Sequence, residues 1–205
     1  VGGGDDSEEA TRVRATYPET VFKSVRRGEC VEGMNYRWRV IHPDSVFLER
    51  NGYGNRDDRN NRSLVTKLEM PRTSFLFTGD IRKQGEEWIV QRYREEIDVD
   101  ILVVPHHGGK NAADPDFLDA VSPKYALISA GYGNRFGHPR VDTLSRLLSA
   151  GSVVYRTDQT GGMVIDQLDD PAGPRLRTHR DFQLRPWESP ADEFANLGLA
   201  LGFNR

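Results

Sequence analysis

Two short runs carry the residues best suited to chemistry. Thr78-Gly79-Asp80 follows the apolar run Ser74-Phe75-Leu76-Phe77, and Pro105-His106-His107-Gly108 follows Ile101-Leu102-Val103-Val104. In each case a strand-like run stops and presents a carboxylate or an imidazole. A charged, helix-like stretch separates the two. Parallel strands joined by that helix bring Asp80 and His106 together at the carboxyl edge of one sheet, where α/β proteins usually place ligand sites. A carboxylate and an imidazole converging there are the raw material of a hydrolytic metal site. His138, in Phe136-Gly137-His138-Pro139, adds a histidine after the next apolar run and before a helix. A neutral imidazole at a helix start also donates to a phosphate oxygen. Taken singly, Gly-Asp is an ordinary turn and each histidine suits packing or a helix start. The set is what favours chemistry. His42 and His179 read as structural or solvated, and Trp38, Trp88 and Trp187 as packing residues.

The elements around these runs follow from periodicity. Residues 36–41 alternate Tyr36, Trp38 and Val40 with Arg37 and Arg39, a half-buried strand. Residues 43–62 are rich in Asn, Gly, Asp and Arg and read as one long loop. Residues 63–68 and 74–77 form a hairpin with Pro71 near its turn. Residues 84–97 are helical, with Trp88, Ile89, Tyr93 and Ile97 on one face. Residues 100–104 form a strand buried on both faces. Asp114 caps a short helix with Pro115 at its first position. After a strand at 125–129, residues 139–150 form a helix with Val141, Leu144 and Leu148 as its stripe, ended by Gly151. Strands at 153–155 and 163–165 flank a turn at 158–162. Beyond Asp169 periodicity fades into a tail, and residues 6–16 suit a surface helix. Strands alternating with helices make an α/β domain with helices on sheet faces.

Composition narrows the function classes. The net charge is −3 over 205 residues, so no basic surface announces a nucleic-acid partner. Local arginines such as Arg62, Arg135 and Arg140 remain available for phosphates. Cys30 is alone, so no internal disulfide forms. No apolar run has the roughly 18 to 20 residues that cross a bilayer, and no signal-peptide pattern is present.

The motifs resemble the metallo-β-lactamase-like domain of ComEC-type competence proteins. The resemblance rests on Asn60-Asn61-Arg62-Ser63-Leu64-Val65, Phe75-Leu76-Phe77-Thr78-Gly79-Asp80-Ile81 and Val104-Pro105-His106-His107-Gly108, in that order. It continues through Phe117-Leu118-Asp119-Ala120-Val121, Ile128-Ser129-Ala130-Gly131-Tyr132, Asn134-Arg135-Phe136-Gly137-His138-Pro139 and Val154-Tyr155-Arg156-Thr157-Asp158. The match covers roughly residues 38–165, and Cys30 ahead of Trp38-Arg39-Val40 points to the proteobacterial branch.

The resemblance implies an α/β, metallo-β-lactamase-like αββα sandwich in a bacterial inner-membrane protein that imports single-stranded DNA. The domain would hydrolyse phosphodiesters of the strand left outside, next to the membrane channel domain of the same protein. Two divalent ions, zinc or manganese, would serve the complete domain. Asp80 would match the carboxylate that bridges them and His106 the last metal-ligand histidine. His107 and His138 would sit near the scissile phosphate, and Asn60 or Asn61 where other members place a third-motif histidine. Lys110 and Arg135 would assist substrate binding.

The family's first metal motif, His-x-Asp-x-Asp-His, is absent from the chain, and Val1-Gly2-Gly3-Gly4 resembles the residues that follow it. The expectation is therefore an N-terminally truncated domain: a remnant at 1–33, a core at 34–168 and a tail at 169–205. Gly108-Gly109-Lys110 stands where the family has Gly-Ser and further Ser; Lys110 would replace part of the lost attraction for phosphate. With Asp80 and His106 as its metal ligands, such a chain would hold metal weakly and cleave DNA poorly by itself. Alternatives are a phosphoesterase of this fold acting on a small molecule and a non-catalytic binding module.

Overall fold

The computed structural model describes residues 8–19, 25–51, 59–166, 168, 170–179 and 200–201. After helix α1 (Glu8–Thr16) come β1 (Cys30–Glu32), β2 (Arg37–His42) and α2 (Ser45–Asn51). Next are β3 (Val65–Glu69), β4 (Ser74–Phe77), α3 (Lys83–Tyr93), β5 (Ile101–Val103) and α4 (Pro115–Val121). The chain continues with β6 (Tyr125–Ile128), α5 (Val141–Ser149), β7 (Val153–Arg156) and the single turn α6 (Thr157–Thr160). Three short strands follow: β8 (Met163–Asp166), β9 (Arg175–Thr178) and β10 (Ala200–Leu201).

Strands β1 to β7 lie in sequence order in one seven-stranded sheet. Neighbours from β1 to β4 are antiparallel, and those from β4 to β7 are parallel. The change at β4 has a local cause. The short link Met70–Thr73 folds β4 back on β3, closed by Met70 N–H donating to Thr73 O. Parallel strands need a longer crossover, and α3, α4 and α5 supply it. The carboxyl ends of β4, β5 and β6 therefore share one edge.

Successive strand residues point to opposite faces, and the core divides accordingly. Leu76, Leu102, Ala126 and Ile128 pack with Ile89 of α3, Phe117 and Leu118 of α4 and Leu147 of α5. On the other face Phe75, Ile101 and Leu127 pack against Met163, Ile165 and Leu168. Burying one such side chain stabilises by about 1.5–3 kcal/mol. The second cluster is closed by a three-stranded sheet in the order β10-β8-β9. Helices, large sheet and small sheet are thus the layers built by the described residues, in a mixed α/β architecture.

Several local expectations change. The stretch 43–62 is not one loop: α2 starts where Asp44 Oδ1 accepts from Phe47 N–H at 2.7 Å, and Phe47 is fully buried against His42 and Trp88. On α5 the stripe turns by about one residue. Val141 and Leu148 are 79% and 62% exposed, whereas Thr143 and Leu147 are buried. Polar anchors set that rotation, with Thr143 Oγ1 donating to Gly109 O and Arg146 donating to the carbonyls of Lys110, Ala112 and Ala113. The turn at 158–162 begins as α6. Past Asp169, β9 pairs with β8 and Arg177 binds Asp166, so the tail contributes to the small sheet.

Candidate active site at the carboxyl edge of the sheet

The ends of β4 and β5 are tied together before any candidate side chain is placed. Phe77 pairs with Val103, and Thr78 Oγ1 donates to Val103 O at 2.7 Å. Gly79 adopts φ +54°, and a Cβ there would lie 2.9 Å from Ser63 Cβ. The chain needs glycine at that point to turn beside Ser63, whose Oγ then accepts from Asp80 N–H at 3.0 Å. Asp80 is thereby fixed at its backbone while its side chain remains 46% exposed.

His106 and His107 occupy consecutive left-handed conformations, at φ 50° and 55°. Each costs a non-glycine residue about 1–2 kcal/mol. The turn is held by His106 N–H donating to Gly79 O and Gly109 N–H donating to His106 O. Gly108 and Gly109 allow close approach, since Cβ atoms there would meet Pro139 Cβ at 2.7 Å and His106 Cδ2 at 2.5 Å. The doubled His-Gly is therefore a device that splays two imidazoles from one strand end.

The imidazoles face different partners. His107 Nδ1 donates to Ser129 O at 2.7 Å, which turns Nε2 toward Asp80 Oδ1 at 3.4 Å. The His106 and His138 rings lie 5.6 Å apart. Asn60 meets His106 Nδ1 at 3.2 Å. With the Asn60 amide oxygen turned that way it accepts from His106 Nδ1 and from Arg82 Nε and Nη2, whereas the reverse orientation sets donors against donors. That leaves the lone pair of His106 on Nε2. His138 is held by Asn134, whose side chain accepts from His138 N–H and donates to His138 O.

Electrostatics make two of these imidazoles, His106 and His138, harder to protonate than a free ring. Burial pushes the His106 pKa down, Asp80 opposes this, and Arg82, His138 and His107 add to it. His138 is lowered in the same way by burial, with His107 and Arg140 adding to it and Asp80 opposing.

Asn61 has a different place. It is 5% exposed, and its Oδ1 accepts from Arg82 N–H and Gly85 N–H at the start of α3. Its carbonyl accepts from His42 Nε2 at 2.7 Å. The substrate-binding reading of Asn61 thus gives way to a structural one, and only Asn60 reaches the cluster. Lys110 and Arg135 are exposed, with the Arg135 guanidinium 4.8 Å from the Phe136 ring centre. His42 is fully buried beside Asp44, as a structural histidine should be.

Sequence reasoning overlooked Arg82, Ser63, Ser129 and Asn134, which orient the cluster through one or two polar atoms each and leave no periodic trace. Glu86 was overlooked too. It is fully buried in α3 and accepts from Ala113 and Asp114 N–H. Its signal was a charge three residues before Ile89, on the face of α3 that must be apolar.

Among the described residues no group of three or more His, Cys, Asp and Glu side chains is arranged to hold a metal ion. Donors converge in pairs, Asp80 with His107 and His106 with His138, and a tightly held divalent ion needs more. These residues alone do not fit such an ion. Among the described residues no helix is long and apolar enough to cross a membrane.

No protein-family model matches the chain. It is 35% identical over 154 residues to competence protein ComA of Neisseria gonorrhoeae, covering 74% of this chain and 22% of that protein. It is 33% identical over 140 residues to ComE operon protein 3 of Bacillus subtilis, covering 68% and 17%. The chain thus spans about a fifth of these relatives. A solved structure described as a metal-dependent hydrolase, from Parabacteroides distasonis, aligns at a TM-score of 0.43 and 13% identity over 74% of this chain and 62% of that one, too low to bear on function. Motif order, edge geometry and these relatives together place the chain in the ComEC-type competence-protein family, as a metallo-β-lactamase-like segment of such a protein.

Proposed function

We propose that this chain supplies one side of a hydrolytic site that degrades DNA in a ComEC-type uptake protein. The observation that supports it is the convergence of Asp80, His106, His107 and His138 at one sheet edge. Asp80 and His107 are 46% and 51% exposed, so the site is shallow. A shallow, open edge suits a polymer strand better than a small phosphoester, which is usually enclosed in a pocket.

The chemistry these residues support is phosphate binding and proton handling. His107, with Nδ1–H donating to Ser129 O, keeps a lone pair on Nε2 in its neutral form, so it gives a proton to a phosphate oxygen from Nε2 only after that atom has taken one up beside Asp80. His106 and His138 present basic nitrogens to the same space. The two divalent ions that the resemblance implies, zinc or manganese, need donors beyond those gathered here. DNA and the membrane channel part of the same inner-membrane protein are the proposed partners.

The test is Asp80→Ala in the protein that carries this chain, reading release of acid-soluble label from DNA. Loss of release is expected. Undiminished release would overturn the proposal. The isolated chain should hold zinc weakly and cleave poorly, and robust metal-dependent cleavage by it would show the site to be complete without further donors.

A further inference from the structure

The link between β6 and α5 carries large side chains that nothing described covers. Tyr132 is 93% exposed and Phe136 61%. Single exposed apolar residues are normal, but these two share a short loop whose shape is fixed. Asn134 Nδ2 donates to Gly131 O and His138 O, and Asn134 Oδ1 accepts from His138 N–H. Gly133 and Gly137, at φ +59° and +64°, make turns that other residues resist. Arg140 N–H donates to Gly108 O and pins the far end to the His-His-Gly turn. The rings are presented, not left over.

Phe136 also connects to the site. His106 and His138 are 5.6 Å apart by ring centres, His138 and Phe136 are 5.8 Å apart, and the Arg135 guanidinium lies 4.8 Å from Phe136. Flat groups thus run from the site to solvent, with cationic groups beside them.

We propose that Tyr132 and Phe136 form a stacking platform for the bases of single-stranded nucleic acid, with Arg135 and Arg140 beside its phosphates. The proposal rests on the DNA-processing reading and deepens it by naming the strand form. Base faces are open only in single strands, and stacking on exposed aromatics with guanidinium support is how proteins hold them without reading sequence. The net charge of −3 gives the surface no general attraction for polyanions, so recognition has to be local.

Fluorescence anisotropy with a labelled oligothymidylate and an abasic strand of equal length tests this on the chain. The wild type should bind the base-bearing strand at least about tenfold more tightly. Tyr132→Ala with Phe136→Ala should lower that affinity to the abasic level and leave abasic binding unchanged. Tyr132→Trp with Phe136→Trp should keep the preference. Thermal melting should be the same for all, because both side chains are exposed. Equal binding of the two strands, no binding of either, or a preference that survives in the Ala variant overturns the proposal. So does loss of binding to phosphatidylglycerol vesicles without any dependence on bases, which would mark a membrane-contact loop. Base-dependent binding together with normal DNA release by the Asp80→Ala protein would remove the hydrolytic reading and leave the platform standing.

Discussion

Asn60 and Asn61 are neighbours in the chain and serve opposite sides of it. Asn60 turns to His106 Nδ1 at 3.2 Å, at the open edge. Asn61 turns inward, where its Oδ1 accepts from Arg82 and Gly85 N–H and does for α3 what an N-cap side chain does from within a helix. Asn61→Ala should orphan those donors and destabilise by roughly 1–3 kcal/mol for the buried one alone. Asn60→Ala should stay within about 0.5 kcal/mol, as substitutions away from the core do. Urea denaturation of both variants measures the contrast; equal losses would refute the division of labour.

The contact of His107 with Asp80 makes a second prediction. His107→Ala removes a ring nitrogen able to carry a proton 3.4 Å from the carboxylate but no buried contact, since both side chains are about half exposed. DNA release by the protein that carries this chain should fall by about 100-fold or more, the usual worth of a positioned general acid or base. Melting temperature should hardly move. His107→Gln, which can still donate, should recover part of the phosphate-binding term, seen as a smaller change in KM than in kcat.

Much of this edge is legible in the sequence because it follows from strand ends. Apolar runs at 74–77 and 101–104 stop just before Asp80 and His106, and the parallel register of Phe77 with Val103 brings both strand ends to one edge. The rotation of α5 is not legible in that way. Val141, Leu144 and Leu148 make the better apolar stripe, but the helix is anchored by Thr143 and Arg146 through carbonyls of the loop at 109–113. Those bonds depend on a backbone far away in sequence, so no periodicity reports them. The same holds for Asn61, whose partners lie more than twenty residues on, and for β9, whose exposed–half-buried pattern is too weak to announce a strand.

Glu86 gives a pH dependence. Burial pushes its carboxyl up to about 7, against the donors from Asp114 and Ala113 and the nearby Arg146, while Asp114 adds to the rise. The folded state therefore holds this proton more tightly than the unfolded chain, whose value is near 4.5. Its contribution is fully present below about 4.5 and is lost as pH rises through about 7, on the order of 2–3 kcal/mol. The stability of the wild type minus that of Glu86→Gln should fall between pH 4.5 and 7.5. A flat difference would mean that Glu86 is ionised throughout.

Asp44 works with the opposite sign. Burial pushes its carboxyl up, but bonds from Tyr93 Oη, Trp88 Nε1 and Phe47 N–H, with His42 nearby, bring it below its ordinary 3.8. Its stabilisation is present above that value and is lost as pH falls through the lower folded one. The wild type should therefore lose its advantage over Asp44→Asn in acid, below about pH 3.8, where Glu86 is already protonated and silent. Acid titrations of the two variants separate the groups, because one difference changes only above pH 4.5 and the other only below about 4.

Arginines at the edge make the last prediction. Arg135 and Arg140 are exposed and flank His138, whereas Arg62 is half-buried in the turn Asn60–Arg62. If all met phosphate, changing them to Gln would weaken DNA binding and flatten its salt dependence together. A single strand loses about 0.7 in the slope of log affinity against log salt for each phosphate contact removed. Burial leaves Arg62 less able to follow a mobile strand, so Arg135→Gln with Arg140→Gln should lower the slope by roughly 1.4. Adding Arg62→Gln should then change stability more than slope. Anisotropy titrations of a single strand between low and moderate salt read both quantities. An unchanged slope in the double variant would remove these side chains from the path of the strand, and with them the electrostatic part of the case for DNA at this edge.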